Sequence, residues 1–525
     1  MSFNDDEQIV ADPDASSGNM GDEFTVGKAK LRVISSPIEA PLEEADMRVM
    51  LELTGQGNGK DRPGLDLVTV LDVSGSMKGE RIEKLKTAME FVIKKLSSID
   101  RLSVITFSAN AKRLCPLRQI TSNSRLEILS LVSDIVADGA TNITDGLQKA
   151  LQVLNERRYK DGRSIGIMLM SDGEQNAGGD AAQVPVSTVP VYTFGFGTGG
   201  KDPKAMADVL NAIAKNGDGG TYSEVQNTTD LSVAFASCLG GLLTVAVQDL
   251  RLTVSAVQGN ATIVSVIAGD YPQSKDNTNA ITIRFGTLYD KEIRRVIVNL
   301  LLPEVPDETP AKVLRIDYLY RNTNGLDLPS APVFASVQRV GDVEEEEEEE
   351  VKVEESRIGT AKMMIQAREM ADTNKLNDAK NIIMDAQNKL DDVGVKKRNA
   401  ILEMLKEELD QLMTYLQSPD TYKNQGRSFA LASELSHARQ RFAARGGDVD
   451  KFRMFSTPRM DLYKEQAKKF DKNPTTPVPT VEDDVKEEIA ANPLLPIIGP
   501  LTFYLQQAIL ALQSIESILT AGVPK

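Results

Sequence analysis

Short apolar segments alternate with amphipathic helical segments between residues 65 and 242, and this alternation constrains the fold more than any other feature. The segments that predict buried strands are Leu65–Asp72, Arg101–Phe107, Ser164–Ser171 and Val189–Phe196. The segments with a helical period are Glu80–Leu96, Ser124–Val136, Thr144–Arg157, Asp202–Ala214 and Asp230–Leu243. Strands separated by helices form βαβ units, in which the strands run parallel. Residues 64–242 therefore predict an α/β domain with a doubly wound, mostly parallel sheet of the Rossmann-like kind.

The segments on both sides of this domain predict a second, antiparallel unit. Apolar and polar residues alternate from Met47 to Leu53, as in a strand with one buried face. Residues 244–340 contain further strand-like runs separated by turns, without a convincing helix, which is typical of an antiparallel β-sandwich. The strands within residues 23–55 have no partner in a parallel sheet, so we expect them to pair with the sandwich and the α/β domain to be an insertion. Residues 1–22 are polar and predict disorder.

The C-terminal half begins with a run of acidic residues and continues as helices. Residues 342–355, which include Glu344–Glu350, predict a solvated acidic linker, or alternatively an acidic plug that competes for a basic or metal site. Residues 356–417 carry heptad-like apolar stripes and predict a helical hairpin region. We expect residues 418–525 to be irregular and to end in an amphipathic helix, Leu501–Leu519, that docks on the protein itself, on a partner or on a membrane.

Charge and cysteine content exclude several classes of function. The net charge of −16 argues against nucleic acid or an anionic membrane as the main partner. The chain has two cysteines, Cys115 and Cys238, and one histidine, His437, too few for an ordinary zinc site or a disulfide framework. A secretory signal and an uninterrupted apolar run of membrane-spanning length are both missing from the sequence, so we expect a cytoplasmic protein.

Oxygen-bearing side chains follow three separate elements of the predicted α/β domain. Asp72, Ser74 and Ser76 follow the first strand as Asp-x-Ser-x-Ser, Thr141 precedes a predicted helix, and Asp172 follows a later strand in Ser-Asp-Gly. Ligands collect at the carboxyl ends of strands in open α/β sheets, which places these residues on one rim. Hydroxyl and carboxylate oxygens are the ligands that Mg²⁺ prefers, and no nitrogen or sulfur ligand is needed.

Together, these three motifs resemble the metal-ion-dependent adhesion site of von Willebrand factor type A (VWA) domains. The resemblance implies that Ser74, Ser76 and Thr141 bind Mg²⁺ directly, with Mn²⁺ or Ca²⁺ as alternative ions. It implies that Asp72 and Asp172 bind the ion or hold its coordinated waters. It also implies one open coordination position, which a carboxylate of a partner protein fills.

The C-terminal half resembles the helical "Vwaint"-type region of plant VWA proteins. The segments that carry this resemblance are Val351–Ile358, Gly426–Ser433, Ser436–Arg441 and Ala444–Gly446. The whole arrangement is similar to the WAVY GROWTH-type E3 ubiquitin ligases, which carry a RING before the VWA domain. This sequence has too few Cys and His residues for a RING, so intrinsic ligase activity does not carry over. A sandwich joined to a VWA domain also resembles the inter-α-trypsin inhibitor heavy chains, which are secreted.

Three functions follow from these observations. The first is a non-enzymatic interaction module that binds a partner carboxylate through Mg²⁺. The second is a RING-less adaptor or substrate-recruiting component of a ubiquitin-ligase assembly that contains RING-bearing VWA relatives. The third is a metal-dependent hydrolase, for which Glu174 is the only general base on the predicted rim. The run Gly195–Gly200 fits Gly-x-Gly-x-x-Gly, but it follows a late strand, so we expect a tight turn there and no dinucleotide site.

Overall fold

The computed structural model describes residues 29–57, 62–196, 203–227, 230–321, 326–343, 348–396, 398–446 and 451–491. The strands are β1 (Ala29–Ser36), β2 (Glu39–Pro41), β3 (Ala45–Gly55), β4 (Gly64–Asp72), β5 (Arg101–Phe107), β6 (Ala111–Arg113), β7 (Arg118–Gln119), β8 (Arg163–Ser171), β9 (Val191–Phe196), β10 (Tyr222–Val225), β11 (Val245–Ala256), β12 (Thr262–Ile267), β13 (Gln273–Lys275), β14 (Ile281–Tyr289), β15 (Ile293–Leu302), β16 (Thr309–Arg321), β17 (Asp327–Pro329) and β18 (Val333–Val340). The helices are α1 (Glu80–Lys95), α2 (Ser122–Ser133), α3 (Ile143–Glu156), α4 (Pro203–Asn216), α5 (Leu231–Leu242), α6 (Glu349–Asp372), α7 (Leu376–Asp391), α8 (Ala400–Tyr415), α9 (Pro419–Thr421), α10 (Arg427–Arg439), α11 (Pro458–Lys472) and α12 (Val481–Ala491). The expected N-terminal disorder at 1–22, the first four glutamates of the acidic run and the expected helix Leu501–Leu519 lie outside the described residues.

A mostly parallel sheet with the strand order β10-β9-β8-β4-β5-β6 forms the α/β domain. Its central strand β4 is parallel to both β5 and β8, and each of its nine residues is buried. Leu67 and Leu71 of β4 pack on the side of α1, α2 and α5, while Val68 and Val70 pack on the side of α3 and α4. The doubly wound α/β fold predicted from the alternation of strands and helices is therefore confirmed.

Two sheets, antiparallel except for the parallel pair β18–β2, pack face to face in a sandwich. One has the order β1-β3-β15-β12 and the other the order β13-β14-β11-β16-β18-β2. Met47 to Leu53 of β3 place alternate side chains in the core between the sheets, opposite Leu252 and Val254 of β11. Because β1 to β3 come before the α/β domain and β11 follows it, the α/β domain lies within the sandwich along the chain.

The end of the acidic run is helical, contrary to the expectation of a linker at 342–355. Helix α6 starts at Glu349 and lies on the outer face of the four-stranded sheet, where Val351 packs against Met50 and Ile297. Arginines of that sheet pair with acidic residues of α6: Arg32 with Glu350, Arg48 with Glu355 and Arg295 with Glu354. The positive charge of the sheet therefore offsets the repulsion within the run, and the buried Val351 anchors the helix.

Helix α10 connects the α/β domain to the helical region, in a part of the chain that we expected to be irregular. Leu431 and Leu435 pack into the core that contains α3 and α4, whereas Phe429 and Ala430 pack into the core of α6, α7 and α8. Nearly every residue of α10 is buried. Its buried residues include Arg427, Ser433 and His437 as well as apolar ones, so polar and apolar residues do not separate onto two faces and the sequence shows no amphipathic period.

The Arg441 guanidinium, fully buried just after α10, joins all three parts of the molecule. It donates to both carboxylate oxygens of Glu292 at 2.8 Å and to the carbonyls of Thr287 and Gly219 at 2.9 and 2.8 Å. It also lies 4.0 Å from the centre of the Tyr289 ring. Burial by itself would raise the pKa of Glu292, but the neighbouring arginines hold this pKa at about 2. The sandwich, the α/β domain and the helical region therefore meet at one charge-paired contact.

We predict that Arg441→Met lowers the free energy of unfolding by about 3–5 kcal/mol, because it leaves Glu292 buried with fewer partners. Urea unfolding followed by circular dichroism measures this loss. The control is Arg398→Met, which removes an exposed ion pair with Glu403 and should change stability by less than about 0.5 kcal/mol. Equal losses in the two variants would contradict a structural role for the buried Arg441 contact.

Candidate metal centre

Three loops meet at the carboxyl edge of the parallel sheet. Strand β4 ends at Asp72 and its parallel neighbour β8 ends at Ser171, so Asp72 and Asp172 leave the sheet side by side. The loop before α3 is tied to the loop after β4 by two backbone hydrogen bonds. In these, Asp138 N donates to Val73 O at 2.7 Å and Gly75 N donates to Gly139 O at 3.0 Å.

The structure brings the five residues of the predicted site to one place. The Ser74 and Ser76 hydroxyl oxygens are 2.9 Å apart, and Ser76 Oγ donates to Asp172 Oδ1 at 2.6 Å. Ser74 N donates to Asp72 Oδ1 at 2.8 Å. A methyl group built on Gly173 would lie 3.4 Å from Ser76 Oγ and 3.7 Å from the Thr141 hydroxyl. Hydroxyl and carboxylate oxygens therefore surround one small space beside Gly173.

Thr141 is held in position by the loop that follows β8. Its N–H donates to Asn176 Oδ1 at 2.8 Å, and its carbonyl accepts from the N–H groups of Asn176 and Ala177 at 3.0 and 3.2 Å. The backbone of Thr141 is thus fixed by the same loop that carries Asp172. This leaves its hydroxyl, the group nearest to Gly173, as the part that can bind a ligand.

Asp72 is a fully buried carboxylate without a cationic partner among the residues that the structure describes. Burial raises its pKa to about 6, although hydrogen bonds from Ser171 and Ser74 act in the opposite direction. Ser171 Oγ donates to Asp72 Oδ2 at 2.5 Å. At the other end of β4, the buried Asp66 is paired with three arginines: Arg101, Arg157 and Arg163. Among the described residues, Asp72 therefore lacks the neighbouring positive charge that Asp66 has.

The donor set fits a hard divalent cation. Such an ion takes oxygen ligands and would offset the buried charge of Asp72. The exposed Ser76 gives the site access to solvent. Over the described ranges, no three His, Cys, Asp or Glu residues cluster in a way that could hold a metal. A divalent cation at this site would therefore depend on the hydroxyls of Ser and Thr together with two carboxylates.

Two residues of the site were missed in the sequence. Ser171 precedes Asp172 at the end of β8, and a hydroxyl at a strand end beside an acidic motif was a usable signal. Arg81, in the first turn of α1, places Nη1 at 2.5 Å from Asp172 Oδ2. No local motif indicates that contact, because α1 and β8 are far apart in the sequence.

The other chemical candidates lie elsewhere or remain exposed. Glu174 is exposed on the loop after β8. His437 is buried in the helical region, where its Nε2 lies 3.0 Å from Glu408, and burial lowers its pKa. Residues 197–200 of the glycine run lie outside the described residues. His437 therefore belongs to the packing of the helical region and not to the candidate metal centre.

Comparison with known families finds two domains in this chain. The model of the von Willebrand factor type A domain matches residues 66–236, and the Vwaint model (VWA / Hh protein intein-like) matches residues 399–469. Both resemblances expected from the sequence are confirmed. A VWA domain is a module for binding other proteins, so the chain carries such a module.

Similar proteins come from plants, bacteria and animals. E3 ubiquitin-protein ligase WAV3 of Arabidopsis thaliana is 27% identical over 299 residues, which are 56% of this chain and 38% of that ligase. The uncharacterized protein sll0103 of Synechocystis is 28% identical over 312 residues, 57% of this chain and 72% of that protein. Human inter-alpha-trypsin inhibitor heavy chain H3 is 31% identical over 141 residues, 24% of this chain and 16% of that protein. The chain thus covers well under half of the plant ligase.

A solved structure extends the similarity beyond the VWA domain. The von Willebrand factor type A protein from Catenulispora acidiphila superposes with a TM-score of 0.58 at 15% identity, covering 81% of this chain and all (100%) of that one. This similarity supports the fold alone. Within the described parts of the chain, no helix has the length and apolar character needed to cross a membrane.

We predict that Asp72→Asn makes the protein more stable in EDTA near neutral or mildly alkaline pH. Above a pKa of about 6 the folded protein must bury this charge, so its neutral replacement should add about 1–3 kcal/mol. The hydrogen bonds can persist, since the Ser171 hydroxyl can accept from the new amide.

The matched control is Asp66→Asn on the same strand. That substitution leaves three arginines without their carboxylate and should lower stability by about 3 kcal/mol or more. Urea unfolding of both variants in EDTA measures the difference. A loss of stability in Asp72→Asn as large as that in Asp66→Asn would show that Asp72 has a purely structural role.

Proposed function

We propose that the von Willebrand factor type A domain of this chain binds a partner protein through one Mg²⁺ ion at its rim. The residues that would hold the ion are Asp72, Ser74, Ser76, Thr141 and Asp172. One observation carries the proposal: among the described residues the buried carboxylate of Asp72 has no cationic partner, and it lies beside the hydroxyls of Ser74 and the exposed Ser76. A functional site retains such an uncompensated charge at a cost in stability.

The hydroxyls determine what the bound ion can do. Neutral hydroxyls of Ser74, Ser76 and Thr141 would supply ligands without cancelling the charge of the ion. Asp72 and Asp172 would bind it or hold its waters. The ion supplies a positive centre that attracts an external anion, and a carboxylate of the partner is the group that suits a hard cation. Mn²⁺ and Ca²⁺ accept the same oxygen ligands and are alternative ions.

Isothermal titration with MgCl₂ tests the ion, and Gly173→Ala tests its position. The new methyl would lie between the hydroxyls of Ser76 and Thr141, at ordinary contact distances that leave the fold intact. We expect Mg²⁺ to bind this variant at least about fivefold more weakly, since the methyl takes the space of the ion and its waters. Gly359→Ala, on α6 with open space around it, is the control and should bind Mg²⁺ like the natural protein.

The partner is tested by affinity capture from cell extract with and without EDTA, beside Asp72→Ala. We expect the same proteins to be lost on metal removal and on substitution. A partner set that is insensitive to both treatments, or a folded protein that takes up no divalent cation, would refute the proposal.

The second candidate is an adaptor within a ubiquitin-ligase assembly. It is favoured by the Vwaint match together with E3 ubiquitin-protein ligase WAVH1 of Arabidopsis thaliana, which is 30% identical over 264 residues. These 525 residues contain two Cys and one His, too few for a RING, so the role would be recruitment. Metal-dependent co-purification of a RING-bearing ligase would support it, and captured partners without any ligase component would count against it.

We further propose that the protein works in a reducing compartment, as in the cytoplasm. Cys115 is buried and Cys238 partly buried, and both are free thiols. Free thiols without disulfides are typical of proteins from reducing compartments.

A further inference from the structure

Arg81 provides the positive charge that faces Asp172. Its Nη1 lies 2.5 Å from Asp172 Oδ2 and 3.5 Å from the Ser76 carbonyl oxygen. The other carboxylate oxygen of Asp172 accepts from Ser76 Oγ. Asp172 is completely buried, whereas the Arg81 side chain is 26% exposed. The partly exposed guanidinium therefore pairs with one of the two carboxylates at the rim, at the oxygen that Ser76 Oγ does not contact.

Local helix energetics do not explain this position of Arg81. It lies in the first turn of α1, where the helix dipole favours acidic side chains and disfavours basic ones. The same turn also contains Glu80 and Glu83, which follow that preference. Arg81 also lies outside the apolar face that α1 buries against the sheet. Its contact with Asp172 is thus the interaction that accounts for its placement.

A divalent cation and this guanidinium would compete for Asp172. An ion that uses Asp172 would lie within a few ångströms of Nη1, and two positive charges at that separation repel strongly even at an effective dielectric constant of about 20. The partly exposed arginine can turn into solvent, whereas Asp172 is completely buried and accepts a hydrogen bond from Ser76. An ion bound directly by Asp172 would therefore displace Arg81.

We propose that Arg81 is the resident counter-charge of the metal-free site and exchanges with the divalent cation on Asp172. This inference rests on the metal site proposed above. In the metal-free protein the guanidinium stabilises a buried carboxylate and closes the rim. In the metal-bound protein it is released to the surface beside the ion, so occupancy of the site requires a higher Mg²⁺ concentration than its oxygen ligands alone would set.

Isothermal titration with MgCl₂ on the full chain, beside thermal unfolding in EDTA and in MgCl₂, tests the exchange. Arg81→Gln should bind Mg²⁺ at least about tenfold more tightly than the natural protein, because the competing charge is gone. In EDTA it should melt at a lower temperature, since Asp172 has lost its partner, and Mg²⁺ should restore the loss. These opposite changes distinguish exchange from a purely structural ion pair.

Two further variants serve as controls. Arg81→Lys keeps the charge and should bind Mg²⁺ within about threefold of the natural protein. Lys78→Gln removes a charge from the exposed Lys78–Asp138 pair and should leave the affinity within about twofold. Equal or weaker Mg²⁺ binding by Arg81→Gln would overturn the exchange alone. No Mg²⁺ binding by any variant, Arg81→Gln included, would overturn the metal site itself.

Discussion

The buried contact between Arg441 and Glu292 determines how the parts of this molecule are arranged. A guanidinium enclosed by protein is stable only if its donors are satisfied, and Arg441 finds acceptors in the sandwich and in the α/β domain. Its neighbour Arg439 also contacts the α/β domain, where its Nη2 donates to the carbonyls of Lys215 and Gly217. The segment after α10 therefore links the insertion to the sandwich that surrounds it.

These contacts lie on the side of the sheet opposite the candidate metal centre. Lys215, Gly217 and Gly219 come just before β10, at the amino ends of the parallel strands. Asp72 and Asp172 lie at the carboxyl ends of β4 and β8. The arginines thus contact the amino edge of the sheet, and the loops at the carboxyl edge carry the oxygen atoms of the candidate metal centre. The contacts that hold the α/β domain in place therefore lie away from the candidate site.

The placement of Asp72 and Asp172 at one edge of the sheet could be predicted from the sequence because strand ends are local signals, whereas the packing around these residues could not. A residue that follows a buried strand lies at a known edge of a parallel sheet, so Asp72 and Asp172 could be placed together before any contact was known. Arg81 reaches Asp172 only through the packing of α1 against the sheet. The helical start of α6 could not be predicted for the same reason. Its acidic residues are neutralised by Arg32 and Arg48, which belong to strands some three hundred residues earlier. Helix α10 was not evident from the sequence, because nearly all of its residues are buried, polar ones included, and no separate polar face marks it as a helix.

Strand β4 contains two buried carboxylates, Asp66 and Asp72, with opposite surroundings. The difference distinguishes a structural carboxylate from a candidate functional one. Asp66 and Asp72 are both fully buried on the same strand. Three arginines pair with Asp66, whereas Asp72 accepts hydrogen bonds from Ser74 and Ser171 and has no cationic partner in the described part of the chain. A chain selected only for stability would pair or neutralise Asp72, as it has done with Asp66. The nearby guanidinium of Arg81, which is partly exposed, pairs with Asp172 instead. Among the described residues, the rim therefore has one buried carboxylate without a cationic partner and one paired with a partly exposed arginine, and the proposed exchange of Arg81 for a metal ion rests on this difference.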